Sequence, residues 1–303
     1  MFYKFLNKRK KLFFYMFLFI FIISFTLYLY SQSSENTFSK ISYNTLKRID
    51  LNGDKKNDIL YIKVHNDNYY IQASVNNHNF SLQPEKSVKS LGKAQSNPIQ
   101  IYFNDLNNDN KLEIFTQSFY GKEPIQHVFL FTDSGFKDIF CSSNNVLGFI
   151  NLNKTLPKFI TGKFENEFYF KSYVLLENKL NELSYYPKED FIGKKAITEF
   201  IKIMESISSI KKNNFRKLCH ENISGKSIEN INKILDEFDM YIYNNSNFMA
   251  KNISKDNIET TWVIDFKGIS FNNNVSNNCS IELKLRKSKD NLNKFKIYSI
   301  KEI

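Results

Sequence analysis

The chain has 303 residues, 42% hydrophobic and 24% charged, with 30 Phe, 17 Tyr and a formal net charge of +11. That composition supplies core material for about two domains and excludes a low-complexity or disordered chain. The basic excess is dispersed beyond the amino terminus and forms no Lys/Arg stripe interleaved with aromatics, so it calls for no nucleic-acid partner. Abundant Lys, Asn, Ile and Phe with only 9 Gly and 5 Pro fit the product of an AT-rich bacterial genome.

Residues 1–11 form a basic stub carrying Lys4, Lys8, Arg9, Lys10 and Lys11. Residues 12–30, LFFYMFLFIFIISFTLYLY, hold no charge, and no acidic residue precedes Glu35. At about 1.5 Å rise per residue such a run spans a hydrocarbon core. It is predicted to be a transmembrane helix in the lipid bilayer, with the amino terminus cytoplasmic and the bulk of the chain extracellular. The alternative is a cleaved signal peptide leaving at Ser31-Gln32-Ser33; the apolar run is long for one. Both readings export the remainder. Residues 31–40 read as a linker.

From residue 41 the pattern turns to short apolar runs separated by acidic turns. The first turn is Asp50-Leu51-Asn52-Gly53-Asp54-Lys55-Lys56-Asn57-Asp58, and the second is Asp105-Leu106-Asn107-Asn108-Asp109-Asn110-Lys111-Leu112-Glu113. Both place oxygen side chains at positions 1, 3, 5 and 9. Calcium takes six to eight oxygens at flexible distances, and alternate side chains of a tight loop supply them. The expected ligands are Asp50, Asn52, Asp54, Asp58 and the carbonyl of Lys56 in one loop. In the other they are Asp105, Asn107, Asp109, Glu113 and the carbonyl of Lys111. Three confined carboxylates repel one another unless a cation offsets them. Position 6, where such loops favour Gly, is Lys55 or Asn110, and position 12 is Tyr61 or Thr116 rather than Glu, which argues against an EF-hand. The alternative is an Asn/Asp-rich turn that binds no metal.

The loops also define a repeat of strand, acidic turn and strand. Ile99, Ile101 and Phe103 alternate before the second loop; Ile59-Leu60-Tyr61-Ile62 and Ile114-Phe115-Thr116 follow the two. A decayed third copy is expected at Asn151-Leu152-Asn153 running into Lys158-Phe159-Ile160-Thr161, with no acids and no metal. On these residues, 41–187 resembles the FG-GAP/VCBS type of repeat, whose signature is an Asp-x-Asn-x-Asp-Gly-x-x-Asp loop in a β-hairpin. The resemblance implies propeller-like β units and calcium in the hairpin loop, with Asp50, Asn52, Asp54, Asp58, Asp105, Asn107, Asp109 and Glu113 as the matching positions. Two or three copies are too few for a closed propeller, so an incomplete propeller-like assembly is expected.

Near Tyr185-Tyr186-Pro187 the period changes from 2 to 3.6. Asp190 is the expected N-cap of a helix whose stripe is Ile192, Ala196, Phe200, Ile203, Ile207 and Ile210. A short helix follows at Phe215 to Cys219, then another marked by Ile228, Ile231, Leu235 and Phe238. Ile258 to Lys267, Cys279 to Arg286 and Phe295 to Ile303 read as strands. This order in 188–303 resembles the cone-like fold of nuclear transport factor 2-like domains. The expected fold class is therefore α+β: a transmembrane helix, a small all-β repeat region at 41–187, and an α+β domain at 188–303.

No nucleophile elbow, phosphate-binding Gly loop or His-Glu-x-x-His occurs. His65, His78, His127 and His220 share no metal spacing. Cys219 and His220 are sequence neighbours and do not face one another on a helix. Asp265 and Glu282 read as polar positions of a solvated sheet face. Cys141, Cys219 and Cys279 form no Cys-x-x-Cys and read as buried free thiols, with a Cys219–Cys279 bridge as the alternative. The expected function is that of a membrane-anchored, calcium-binding, non-enzymatic β-repeat protein whose 188–303 region binds a protein or small molecule. Two alternatives remain: an envelope-binding spacer without metal, and a cryptic cell-wall enzyme.

Overall fold

A computed structural model describes residues 39–40, 46–95, 98–152, 155–184, 192–207, 211–254, 257–271, 275–288 and 294–303. All of them fall within one compact unit, Phe38–Ile303. The first sheet is a four-stranded antiparallel meander of β2 (Leu46–Ile49), β3 (Asp58–His65), β4 (Asn68–Val75) and β5 (His78–Ser81). The second meander is β6 (Gln100–Asn104), β7 (Glu113–Tyr120), β8 (Glu123–Thr132) and β9 (Gly135–Ser142), with the short β1 (Ser39–Lys40) added to the free edge of β6. The third is β10 (Val146–Asn151), β11 (Lys158–Phe164), β12 (Phe168–Leu176) and β13 (Lys179–Leu183).

Local chemistry explains the tight hairpins. Asn66-Asp67, Asn76-Asn77 and Glu177-Asn178 close two-residue turns with φ between 47° and 63° at both positions. Two consecutive left-handed residues make the turn whose twist matches the strands, and Asn and Asp tolerate that backbone best. Successive meanders bury apolar faces against each other. Leu60, Ile62, Ile71 and Val75 share a core with Ile101, Phe103, Ile114 and Phe129. Tyr102, Phe115 and Val128 share another with Leu147, Phe149, Phe159 and Leu175.

Three helices follow: α1 (Lys194–Glu205), α2 (Lys211–Arg216) and α3 (Gly225–Glu237). They lie on the long antiparallel strands β14 (Met240–Ser254), β15 (Asn257–Ser270), β16 (Val275–Lys287) and β17 (Phe295–Glu302). Ala196, Ile197, Phe200, Ile201 and Met204 of α1 are buried in this layer with Ile231 and Ile234 of α3 and with Trp262, Ile264 and Phe266. Ser224 caps α3, its Oγ accepting from Ser227 N at 3.2 Å.

The expected α+β class is corrected by this arrangement. The described chain is mostly β, and β14 runs parallel to β10, from Val146↔Ser246 to Asn151↔Lys251. That pairing fuses the third meander and the last four strands into one eight-stranded sheet, β13-β12-β11-β10-β14-β15-β16-β17. The third meander of the expected repeat region thus shares a sheet with the last four strands, while the first two meanders are sheets of their own. The reason is that β10 is buried along Val146 to Ile150, and its Gly148 lies directly beneath the Phe248 ring, where a Cβ would sit 2.2 Å from the ring. Local periodicity does not announce such long-range pairing. The 15-residue β14 carries no regular apolar alternation (MYIYNNSNFMAKNIS) and was not expected as a strand.

Smaller corrections have local causes. α1 starts after Gly193, which is left-handed with φ 79°, and stops at Ser206; Ile207 is exposed rather than part of the apolar stripe. Asp265 is not on a solvated face: it is buried and bonded to Gln100 of β6 and Ser280 of β16. No helix among the described residues is long and apolar enough to cross a membrane. The expected spanning segment 12–30 lies outside the described residues, as do Asp190, Ile210 and Asn153.

Candidate metal centre

Each acidic loop closes a hairpin in the same register. Ile49 pairs with Asp58 across the first and Asn104 with Glu113 across the second. The Leu at position 2 is the anchor: Leu51 and Leu106 are both fully buried. Pinning that side chain in the core turns its main-chain N–H onto the ninth residue. Leu51 N donates to Asp58 Oδ2 at 2.9 Å and Leu106 N donates to Glu113 Oε2 at 2.8 Å.

The remaining bonds repeat as closely. The position-1 carboxylate accepts from the position-6 N–H: Lys55 to Asp50 at 2.7 Å, and Asn110 to Asp105 at 2.8 Å. The position-3 Asn oxygen accepts from the position-5 N–H, at 3.1 Å for Asn52 and 3.2 Å for Asn107. The position-5 carboxylate accepts from the position-7 N–H at 2.8 Å in both loops, Lys56 to Asp54 and Lys111 to Asp109. Positions 4 and 6 are left-handed in each: Gly53 and Lys55 at φ 79° and 67°, Asn108 and Asn110 at 60° and 67°. Lys55 therefore adopts the backbone that glycine favours, despite its side chain.

The loops also touch each other. Leu112 N donates to the carbonyl of Leu51 at 3.1 Å, and a Cβ on Gly53 would stand 2.8 Å from the carbonyl oxygen of Asn110. Gly53 thus serves the contact between loops as well as the turn. Six carboxylates, from Asp50, Asp54, Asp58, Asp105, Asp109 and Glu113, are carried by this pair of adjoining loops. Residues 50–116 match the family model of an FG-GAP-like repeat. The match begins at the first Asp of loop one and ends just past loop two, so the repeat includes both. The chain matches no curated protein.

The repeat's ninth positions are electrostatically unusual. Asp58 and Glu113 are buried. Burial is the main cause that raises both carboxyls, opposed by the Leu N–H bonds and reinforced by the neighbouring Asp charges; Glu113 is pushed up to about 8. Glu113 Oε1 is buried and makes no hydrogen bond in the structure. An all-oxygen donor set with one orphaned buried carboxylate oxygen fits a hard cation. Among the described residues no three His, Cys, Asp or Glu side chains are gathered as a metal cluster. The carboxylates at positions 1 and 5 are turned instead onto their own loop's N–H groups.

The third hairpin carries no acid between its paired strands, and its connection is one residue shorter. Ile150 pairs with Lys158, so a lysine stands where the other loops carry Asp58 and Glu113. His220 contacts the carbonyl of Lys287 at 3.2 Å and accepts from Asn222 N at 3.1 Å. Cys141, Cys219 and Cys279 form no disulfide with one another; Cys279 is buried, whereas Cys141 and Cys219 are part-exposed rather than buried as expected. One group was missed: His127, Asp138 and Cys141 adjoin on β8 and β9. They lie on two strands with no motif spacing, so only the cross-strand register reveals them.

Proposed function

We propose that the protein is an extracytoplasmic β-repeat protein that binds calcium through its two adjoining acidic loops. It is attached at the membrane by its apolar amino-terminal segment and is not an enzyme. The observation that carries the reading is the buried, unpartnered Oε1 of Glu113 inside a loop whose hydrogen bonds are duplicated in the loop beside it. Asp50, Asn52, Asp54, Asp58 and the Lys56 carbonyl would hold one ion; Asp105, Asn107, Asp109, Glu113 and the Lys111 carbonyl would hold the other. A divalent ion would supply the positive charge that two raised, buried carboxylates lack, and would tie the first two meanders together where the loops meet.

Extracellular calcium is high enough for modules with Kd of about 10⁻⁴ to 10⁻³ M. The helix-covered part of the eight-stranded sheet is then left to bind a protein or small molecule. Calcium titration of the full chain, followed by calorimetry and melting temperature, tests the reading. Saturating calcium stabilises by about 1.4 kcal/mol at tenfold excess over Kd. Asp54→Ala and Asp109→Ala weaken binding and leave the eight-stranded sheet folded. An unchanged melting temperature in millimolar calcium favours the metal-free spacer.

A further inference from the structure

Cys141 of β9 faces His127 of β8 as its direct cross-strand partner, with Sγ 3.9 Å from Nε2. Asp138 lies three residues before Cys141, an odd spacing that places strand neighbours on opposite faces. The register slips by one residue between Val128 and Phe129, leaving Ile139 as the extra residue of a β-bulge. The bulge returns Asp138 to the same face as Cys141, where its Oδ2 lies 3.0 Å from His127 Nδ1.

Both ring nitrogens of His127 meet acceptors. Nδ1 faces the Asp138 carboxylate, and Nε2 faces the carbonyl of Ser90 at 3.1 Å. A neutral imidazole donates from one nitrogen only, so this environment calls for the doubly protonated ring. The segment before β6 closes over the group: Glu85 N and Lys86 N donate to Asp138 Oδ2 at 2.9 and 3.2 Å. His127 and Asp138 are fully buried, whereas Cys141 is part-exposed. Glu85 and Lys86 offer main-chain N–H groups here, and Ser87 and Val88 offer hydrogen bonds to the thiol; the charge that acts on Cys141 is that of His127.

We infer that Cys141 is a nucleophilic thiolate held by the His127 imidazolium, and that it exchanges with low-molecular-weight disulfides. In the exchange the thiolate attacks one sulfur of the small disulfide. That S–S bond breaks, a new S–S bond forms to Cys141, and the other half leaves as a thiolate that takes a proton from water. The electrostatics agree with the geometry. Burial opposes the charge on His127, but the hydrogen bonds to Asp138 and Cys141 outweigh it and push the imidazole up to about 9. Burial likewise raises the Cys141 thiol, but the His127 hydrogen bond and charge leave it below its ordinary value. Cys219, by contrast, is pushed up to about 11 by burial.

The test is site-resolved alkylation of the full chain with iodoacetamide across pH, read by peptide mass spectrometry, with oxidised glutathione as the disulfide probe. At pH 7 the native chain labels at Cys141 about tenfold faster than the same chain in urea, while Cys219 and Cys279 label more slowly than in urea. His127→Gln removes the advantage and moves the pH midpoint up to or above that of an ordinary thiol, because burial then acts without the imidazolium. Should His127→Gln fail to fold, Asp138→Asn moves the midpoint in the same direction. Native labelling of Cys141 no faster than unfolded, a folded His127→Gln chain that keeps the fast rate, or no glutathione adduct at Cys141 overturns the inference.

Discussion

Lys55 holds a left-handed backbone at φ 67° in a loop whose other left-handed positions are Gly53 and, in the twin loop, two asparagines. A side chain with a Cβ pays about 1 kcal/mol or more for that conformation. Lys55→Gly therefore stabilises the chain by up to about 1 kcal/mol after the entropy of the added glycine, and Asn110→Gly by less. Urea denaturation of each variant measures it, and destabilisation by Lys55→Gly refutes the turn geometry.

Glu113 gives a pH dependence of definite sign. The unfolded carboxyl releases its proton near pH 4.5 and the folded one near 8. Between those values the folded chain binds more protons, so the contribution to stability is complete below about 4.5 and is lost as pH rises through about 8. His127 adds a decline of the same sign between about 6.5 and 9. The difference between wild type and Glu113→Gln isolates the glutamate. In EDTA that difference widens as pH rises, and calcium suppresses it because the ion replaces the proton.

Among the elements, the hairpin with an anchored second residue explains most. Leu51 and Leu106 fix where each loop enters the core, and the ninth carboxylate follows from that. Leu51→Ala or Leu106→Ala costs about 2–5 kcal/mol and also weakens calcium binding, although neither side chain offers a ligand. Gly53→Ala costs about 2 kcal/mol or more, because the new Cβ meets the Asn110 carbonyl and the backbone is left-handed. Thermal melts of these variants with and without calcium separate anchoring from ligation.

Hairpins of this kind were legible in the sequence because their determinants are local. Alternating apolar runs flank Asp-Leu-Asn turns, and the structure places strands on both sides of each. Helices α1 and α3 were legible for the same reason, except that Gly193 and Ser206 bound α1 more tightly than its apolar stripe suggests. What stayed hidden depends on distant partners. β14 has buried Asn245, Ser246 and Asn247 in place of a regular apolar face, so no period marks it. Asp265 reads as a surface residue until Gln100, 165 positions away, is seen beside it. The closeness of the two acidic loops was equally invisible, since it rests on Gly53 fitting under one carbonyl.

For the molecule as a whole, the parallel pair β10–β14 is the join that matters. It ties the third meander to the helix-covered sheet and leaves no sheet that ends at residue 187. A fragment beginning at 188 exposes the β14 edge along Ser246 to Lys251 and Phe248 beside it, an unpaired edge prone to association. Such a fragment is expected to aggregate or to lose strand signal in circular dichroism. A monomeric, cooperatively melting fragment would show that the last four strands stand alone.

Calcium binding by the paired loops is the central claim, and isothermal titration of calcium into the full chain reads it most directly. The account predicts saturable heat in the range of weak extracellular modules, abolished by combining Asp54→Ala with Asp109→Ala in a chain that still folds. Titration heat no greater than dilution, or an unaltered isotherm in that double variant, contradicts it.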